Sequence, residues 1–211
     1  MQIGRWSQNQ ELDVLSQAMH DARSLAMSRV EAEAAGLDAD GVVGVRLTVK
    51  SVEWGEHLAE FLALGTAAQR LPEAPRWAHG TGPFTSDLSG QDFWALFQAG
   101  YGPVALVMGA CVYPVAHQGV RTALANLGRN AELLNFTQAL YDAREIAMER
   151  MQAEAVDAKA AGVVGPRIEE GSWGWAPHII EFLAIGTAVA PTGAGSRLPD
   201  TIPVLLDLHD R

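Results

Sequence analysis

Apolar positions along Glu11–Ala35 recur every three or four residues, at Leu12, Leu15, Met19, Ala22, Ala26 and Val30. The same stripe returns at Leu133, Phe136, Leu140, Ala143, Ala147 and Met151. A period near 3.6 residues sustained over this length predicts a long amphipathic helix in each place. The polar faces carry Arg29/Glu33 and Arg150/Glu154 at i, i+4. Such pairs contribute about 0.3–0.5 kcal/mol when exposed, so both faces are expected to be solvated. Gly41 and Gly162 then reverse the chain, and Val42–Val49 and Val163–Glu170 read as strands.

The strand that closes each pattern behaves differently. Alternation over Leu58–Ala67 places Ala59, Phe61, Ala63 and Gly65 on one side and Leu58, Glu60, Leu62 and Leu64 on the other, so both sides are mostly apolar. A sheet with one wet face alternates apolar and polar residues; a strand apolar on both faces must be covered twice. The helix covers one face, and a second sheet, from the other half of the chain or from another subunit, is expected over the other. Self-association follows as an expectation.

The recurrence is a duplication. Glu11–Ala68 aligns with Glu132–Val189 at a constant offset of 121 residues, pairing Asp21-Ala22-Arg23 with Asp142-Ala143-Arg144, Gly41-Val42-Val43-Gly44 with Gly162-Val163-Val164-Gly165, and Glu60-Phe61-Leu62-Ala63 with Glu181-Phe182-Leu183-Ala184. Pro83–Leu88 resembles Pro203–Leu208, so each copy is expected to end in one more short strand. Between the copies, Gly90–Gly100 reads as a short helix and Pro103–Val115 as a buried strand, whereas 69–82 and 191–202 are Pro- and Gly-rich loops. The reading is an α+β chain of two tandem two-layer units, residues 1–89 and 90–211, the second running strand, helix, strand, strand. The first has no counterpart to Gln91–Gly119. Either the true start lies upstream of Met1 or that copy folds without its first strand.

If Val42–Thr48 and Leu58–Thr66 form a hairpin centred near Glu53, Arg46 falls opposite Glu60, and Arg167 likewise opposite Glu181. These cross-strand ion pairs would fix register or subunit geometry, or form part of a ligand site where partners meet.

Charge and composition then narrow the function. Twenty-five acidic against 15 basic residues give a formal charge of −10, which disfavours a nucleic-acid surface. The longest apolar run, Tyr101–Ala116, is shorter than a bilayer span and interrupted by Gly and Pro. One cysteine, Cys111, excludes an internal disulfide. A soluble, cytoplasmic protein is expected.

The succession of VALVMGACVY, a helix carrying Ala143–Ala147 (AREIA), Ala161–Gly165 (AGVVG) and Glu181–Val189 (EFLAIGTAV) resembles the YbjQ-like "putative heavy-metal-binding" family. The first copy joins the resemblance through DGVVGVRL and EFLALGTA. It implies a helix packed on a three-stranded antiparallel sheet and a ring-like homo-oligomer, typically a pentamer; family members carry one copy, so the tandem chain departs from the pattern. It implies no catalytic residues.

A soft-metal site needs two to four converging Cys, His or Met ligands, and no CxxC, HxxxH or HExxH spacing occurs. His57 and His178 recur at equivalent places and are either structural or metal ligands brought together by symmetry between subunits. Cys111, in a buried strand, reads first as a small core residue. Trp54 and Trp175 also recur, filling core or interface or stacking on a planar ligand between subunits. No nucleophile elbow, phosphate loop or paired-carboxylate motif appears. The expectation is a non-enzymatic oligomeric module that binds metal at subunit interfaces; the alternative is a storage or sensing module holding a small planar or hydrophobic ligand there.

Overall fold

A computed structural model describes residues 11–51, 59–73, 82–114, 134–173 and 176–195. They form helix α1 (Asp13–Gly36), strands β1 (Gly41–Ser51), β2 (Ala59–Ala68) and β3 (Phe84–Thr85), and helix α2 (Gly90–Gln98). Strand β4 (Tyr101–Pro114), helix α3 (Leu134–Asp157) and strands β5 (Gly162–Trp173) and β6 (Ala176–Pro191) follow. The strands build two sheets of three, ordered β2-β1-β3 and β4-β6-β5. The fold is therefore mixed α+β, in two tandem units. β3 is the short closing strand read from Pro83–Leu88, and it pairs in parallel with β1 at Gly41 and Val42. Its expected counterpart, Pro203–Leu208, lies outside the described residues.

The repeat extends to backbone detail. Gly44 and Gly165 both take a left-handed conformation, with φ of 64° and 61°. Each sits where the register of its hairpin shifts, between Val43 and Arg46 and between Val164 and Arg167. A glycine with positive φ suits a one-residue bulge of this kind, which bends the strand and increases its local twist.

The observed register overturns the expected cross-strand ion pairs. Arg46 stands opposite Leu64 and Arg167 opposite Ile185, while Glu60 faces Lys50 and Glu181 faces Gly171. In the first hairpin the pairs Lys50–Glu60 and Arg46–Leu64 are centred beyond Glu53; in the second, Trp173 pairs with Ala176, and a register shift between Ser172 and Trp173 displaces the pairs that precede it.

Strands β4 and β6 of the second sheet are enclosed on both faces. On one side α3 lays Ala139, Ala143, Ala147 and Met151 against Val107, Cys111, Phe182 and Ala184. The small side chains let helix and strand approach closely, and at Gly109 there is no room even for a Cβ, which would come within 2.6 Å of the Met151 amide nitrogen. On the other side, Leu106, Met108, Ala110, Leu183 and Ile185 meet Met27 and Ala34 of α1 and Val42 and Val45 of β1. Val112 and Ile179 meet Met19. The second cover is thus a helix together with β1, both from the first copy, where the pattern predicted a sheet. α1 touches both β2 and β4 and so belongs to both units.

Candidate functional site: the joint between the copies

Where α1 crosses β6, one ion pair is buried. Arg23 Nη2 donates to Glu181 Oε1 at 2.6 Å, with only 3% and 6% of the two side chains exposed. The guanidinium carbon lies 5.2 Å from the centre of the Phe61 ring, a cation–π distance. Arg23 Nε and Nη1 have no hydrogen-bond partner among the described residues. Each residue comes from a repeated motif, Arg23 from Asp-Ala-Arg and Glu181 from Glu-Phe-Leu-Ala. The sequence reading paired Glu181 with Arg167 on its own hairpin. The missed signal was that the helix carries an arginine at the same place in both copies.

A second latch joins the copies near β3. Ser86 Oγ lies 3.1 Å from Thr187 Oγ1, which also accepts the Asp87 backbone N–H at 3.2 Å. Arg167 forms ion pairs with Asp87 and, at 3.0 Å, with Glu169. Arg167 is therefore engaged with the first copy inside its own chain. Arg46, its equivalent, is exposed.

The third feature is the outer edge of β4. Alternate residues of an edge strand aim N–H and C=O away from the sheet and invite pairing with another chain. Here five of them are taken up. Leu106 N–H donates to Thr85 Oγ1 at 2.9 Å, Met108 N–H to Glu154 Oε2 at 2.7 Å, and Val112 N–H to Ser16 Oγ at 2.8 Å. The Val112 carbonyl accepts from Leu12 N–H at 2.9 Å, and the Ala110 carbonyl from Arg150 Nη1 at 2.7 Å. Arg150 also pairs with Glu11, and His20 Nε2 lies 3.3 Å from Glu154 Oε1. Arg150 and Glu154 are thus not the solvated pair that their spacing predicted. Arg29 and Glu33, their equivalents on α1, are exposed.

Burial raises the Glu154 carboxyl above its ordinary 4.5, against the opposing pull of the Met108 N–H and His20; Asp157 adds to the rise. A carboxyl that holds its proton more tightly when folded adds stability below its unfolded value and loses it as pH rises through the folded one. Glu154→Gln keeps an oxygen for the Met108 N–H and removes the titration. Urea midpoints should then fall less steeply than wild type as pH rises from 4.5. An unchanged slope would show that Glu154 does not carry this dependence.

Of the residues singled out for ligands, Trp54, His57 and Trp175 lie outside the described residues. His178 lies on β6, at a side-chain position outside the description. Among the described residues, no three His, Cys, Asp or Glu are placed to hold one metal ion. Cys111 is fully buried, and burial, then the charge of Glu11, pushes its thiol up to about 12. It stays protonated at neutral pH, and metals bind the thiolate. The described residues do not fit a heavy-metal centre. They do leave a groove of about 300 Å³ on the second unit, between Tyr141 and Arg144 of α3 and Ile168, Glu170 and Phe182 of the sheet. No helix among the described residues is long and apolar enough to cross a membrane.

Comparison with known proteins agrees with the repeat. The chain is 46% identical over 209 residues, 98% of its length and 79% of the relative's, to a Mycobacterium tuberculosis protein named encapsulin nanocompartment protein Rv1762c. It is 41% identical over 61 residues to a UPF0145 protein of Vibrio campbellii, matching 29% of this chain and 57% of that one. A UPF0145 protein of Halorubrum lacusprofundi is 44% identical over 59 residues, 28% of this chain and 55% of that one. The family profile described as "Putative heavy-metal-binding" matches twice, at residues 9–70 and 105–192. With two matches covering most of its length and one falling on each copy, this chain belongs to the YbjQ-like family as a tandem duplication.

Proposed function

We propose that the protein is a non-enzymatic, cytoplasmic building block that self-associates through the uncovered side of its first unit and serves in a protein nanocompartment assembly. One observation carries the reading. β2 and β6 have nearly the same sequence, EFLALGTA and EFLAIGTA, yet Ile185 is 1% exposed and its equivalent Leu64 is 60% exposed. Leaving aliphatic surface in water costs roughly 25 cal/mol per Å², and a strand built for burial on both sides is stabilised when a like surface covers it. The name of the mycobacterial relative supports the same reading. The buried charged groups described above are all tied into joints of the fold, which favours a structural role over catalysis.

Native mass spectrometry with elemental analysis of the same sample tests the reading. The expected result is a multiple of the 22.6 kDa chain. A 22.6 kDa monomer at every concentration would refute it. The family's description adds a metal, for which His57 and His178 of neighbouring copies are this sequence's candidate ligands; stoichiometric metal that disappears in the His57→Ala/His178→Ala variant would establish that part, and metal-free assemblies would remove it. A bound organic molecule would favour the storage or sensing module.

A further inference from the structure

The two charged partners of the Arg23 joint have counterparts 121 residues away that form no ion pair with each other among the described residues. Arg23 of α1 corresponds to Arg144 of α3, Glu181 of β6 to Glu60 of β2, and Phe61 to Phe182. Arg23 and Glu181 are buried against each other, whereas Arg144 and Glu60 are both exposed. The apolar surroundings differ in the same way. Met19 of α1 is buried against Val112 and Ile179, while its equivalent Leu140 is only half-buried and lines the groove beside Arg144. Leu183 and Ile185 are covered by the first copy, while Leu62 is half-buried and Leu64 largely exposed.

From this correspondence, and resting on the self-association proposed above, we propose that α3 of one molecule docks on the open side of β2 in a second copy, with Arg144 pairing with that copy's Glu60. The joint inside the chain is then repeated between chains. The occupant is a second copy because the first unit already shows which surface this helix type covers: the Glu-Phe-Leu-Ala side of a sheet from the same repeat. Charges match as they do inside, cation on the helix and carboxylate on the strand. Each molecule gives one helix and offers one strand, so the contact is head to tail, and it builds a ring if the rotation closes.

The test is sedimentation velocity of wild type, R144E, E60R and an equimolar mixture of the two variants. Both positions are exposed, so the variants should melt as wild type does. Each variant alone places like charges across every contact and should weaken assembly at least about tenfold, as expected for losing a charge-assisted bond. In the mixture, each contact between unlike variants again pairs opposite charges, so assembly should be recovered. Variants that assemble like wild type would overturn this contact and leave self-association standing through another surface. Variants that stay dissociated when mixed would also overturn it. A wild-type chain that is monomeric throughout would remove self-association and this contact together.

Discussion

Glu181→Gln is expected to destabilise the chain by about 3–5 kcal/mol, the usual cost of removing one partner from a buried ion pair. Arg23→Met, which removes the other partner, falls in the same range. Without Glu181, Arg23 is left buried with its charge unbalanced, because a guanidinium does not deprotonate in proteins. It is already poorly served, with Nε and Nη1 lacking partners among the described residues and the Phe61 ring as its other contact. The double variant Arg23→Met/Glu181→Leu should recover most of the loss, because well-packed apolar replacements of buried ion pairs are often neutral or stabilising. Urea unfolding of the four proteins decides the matter. Single variants within about 0.5 kcal/mol of wild type would mean that the joint is hydrated in solution and contributes as a surface pair does.

Gly109→Ala should cost about 3 kcal/mol, the upper end of the range for overpacking a core. The added methyl would overlap the Ala147 carbonyl oxygen and lie 2.6 Å from the Met151 amide nitrogen and 2.8 Å from Arg150 Cβ. Two of these atoms belong to the α3 backbone, so relief requires the whole helix to lift off β4. Lifting it would also strain the Met108–Glu154 bond and the Arg150–Ala110 bond, which tie α3 to the edge of the same strand. Gly162→Ala is the control, since a Cβ there meets nothing within 4 Å. The pair of urea midpoints should separate sharply. Equal midpoints would show that α3 can shift at little cost and that the close approach is not a determinant of stability.

Much of the architecture is legible in local pattern. The 3.6-residue stripes mark both long helices, and the matching Gly-Val-Val-Gly segments mark the strand starts. The offset of 121 residues makes the two-unit organisation visible in the sequence. The demand for two covers on the last strand of each copy is also a sequence property, because it follows from side-chain alternation alone. Charged partners were less legible. Glu181 and Arg167 lie on adjacent strands, and the register shift between Ser172 and Trp173, which no local pattern announces, sets Glu181 opposite Gly171. Glu154 and Arg150 have a solvated helical spacing, and only the placement of β4 beneath α3 turns them inward to an open strand edge.

What the sequence by itself determined is the set of elements and the need to bury both sides of β6, since both depend on the order of residues within about ten positions. The tertiary structure alone decided who meets whom. Arg23 and Glu181 are 158 residues apart, and Ser16 and Val112 are 96 apart. Such pairings depend on how rigid elements stack and on which backbone groups are left over at a sheet edge, and the spacing of residues along a chain carries no record of either.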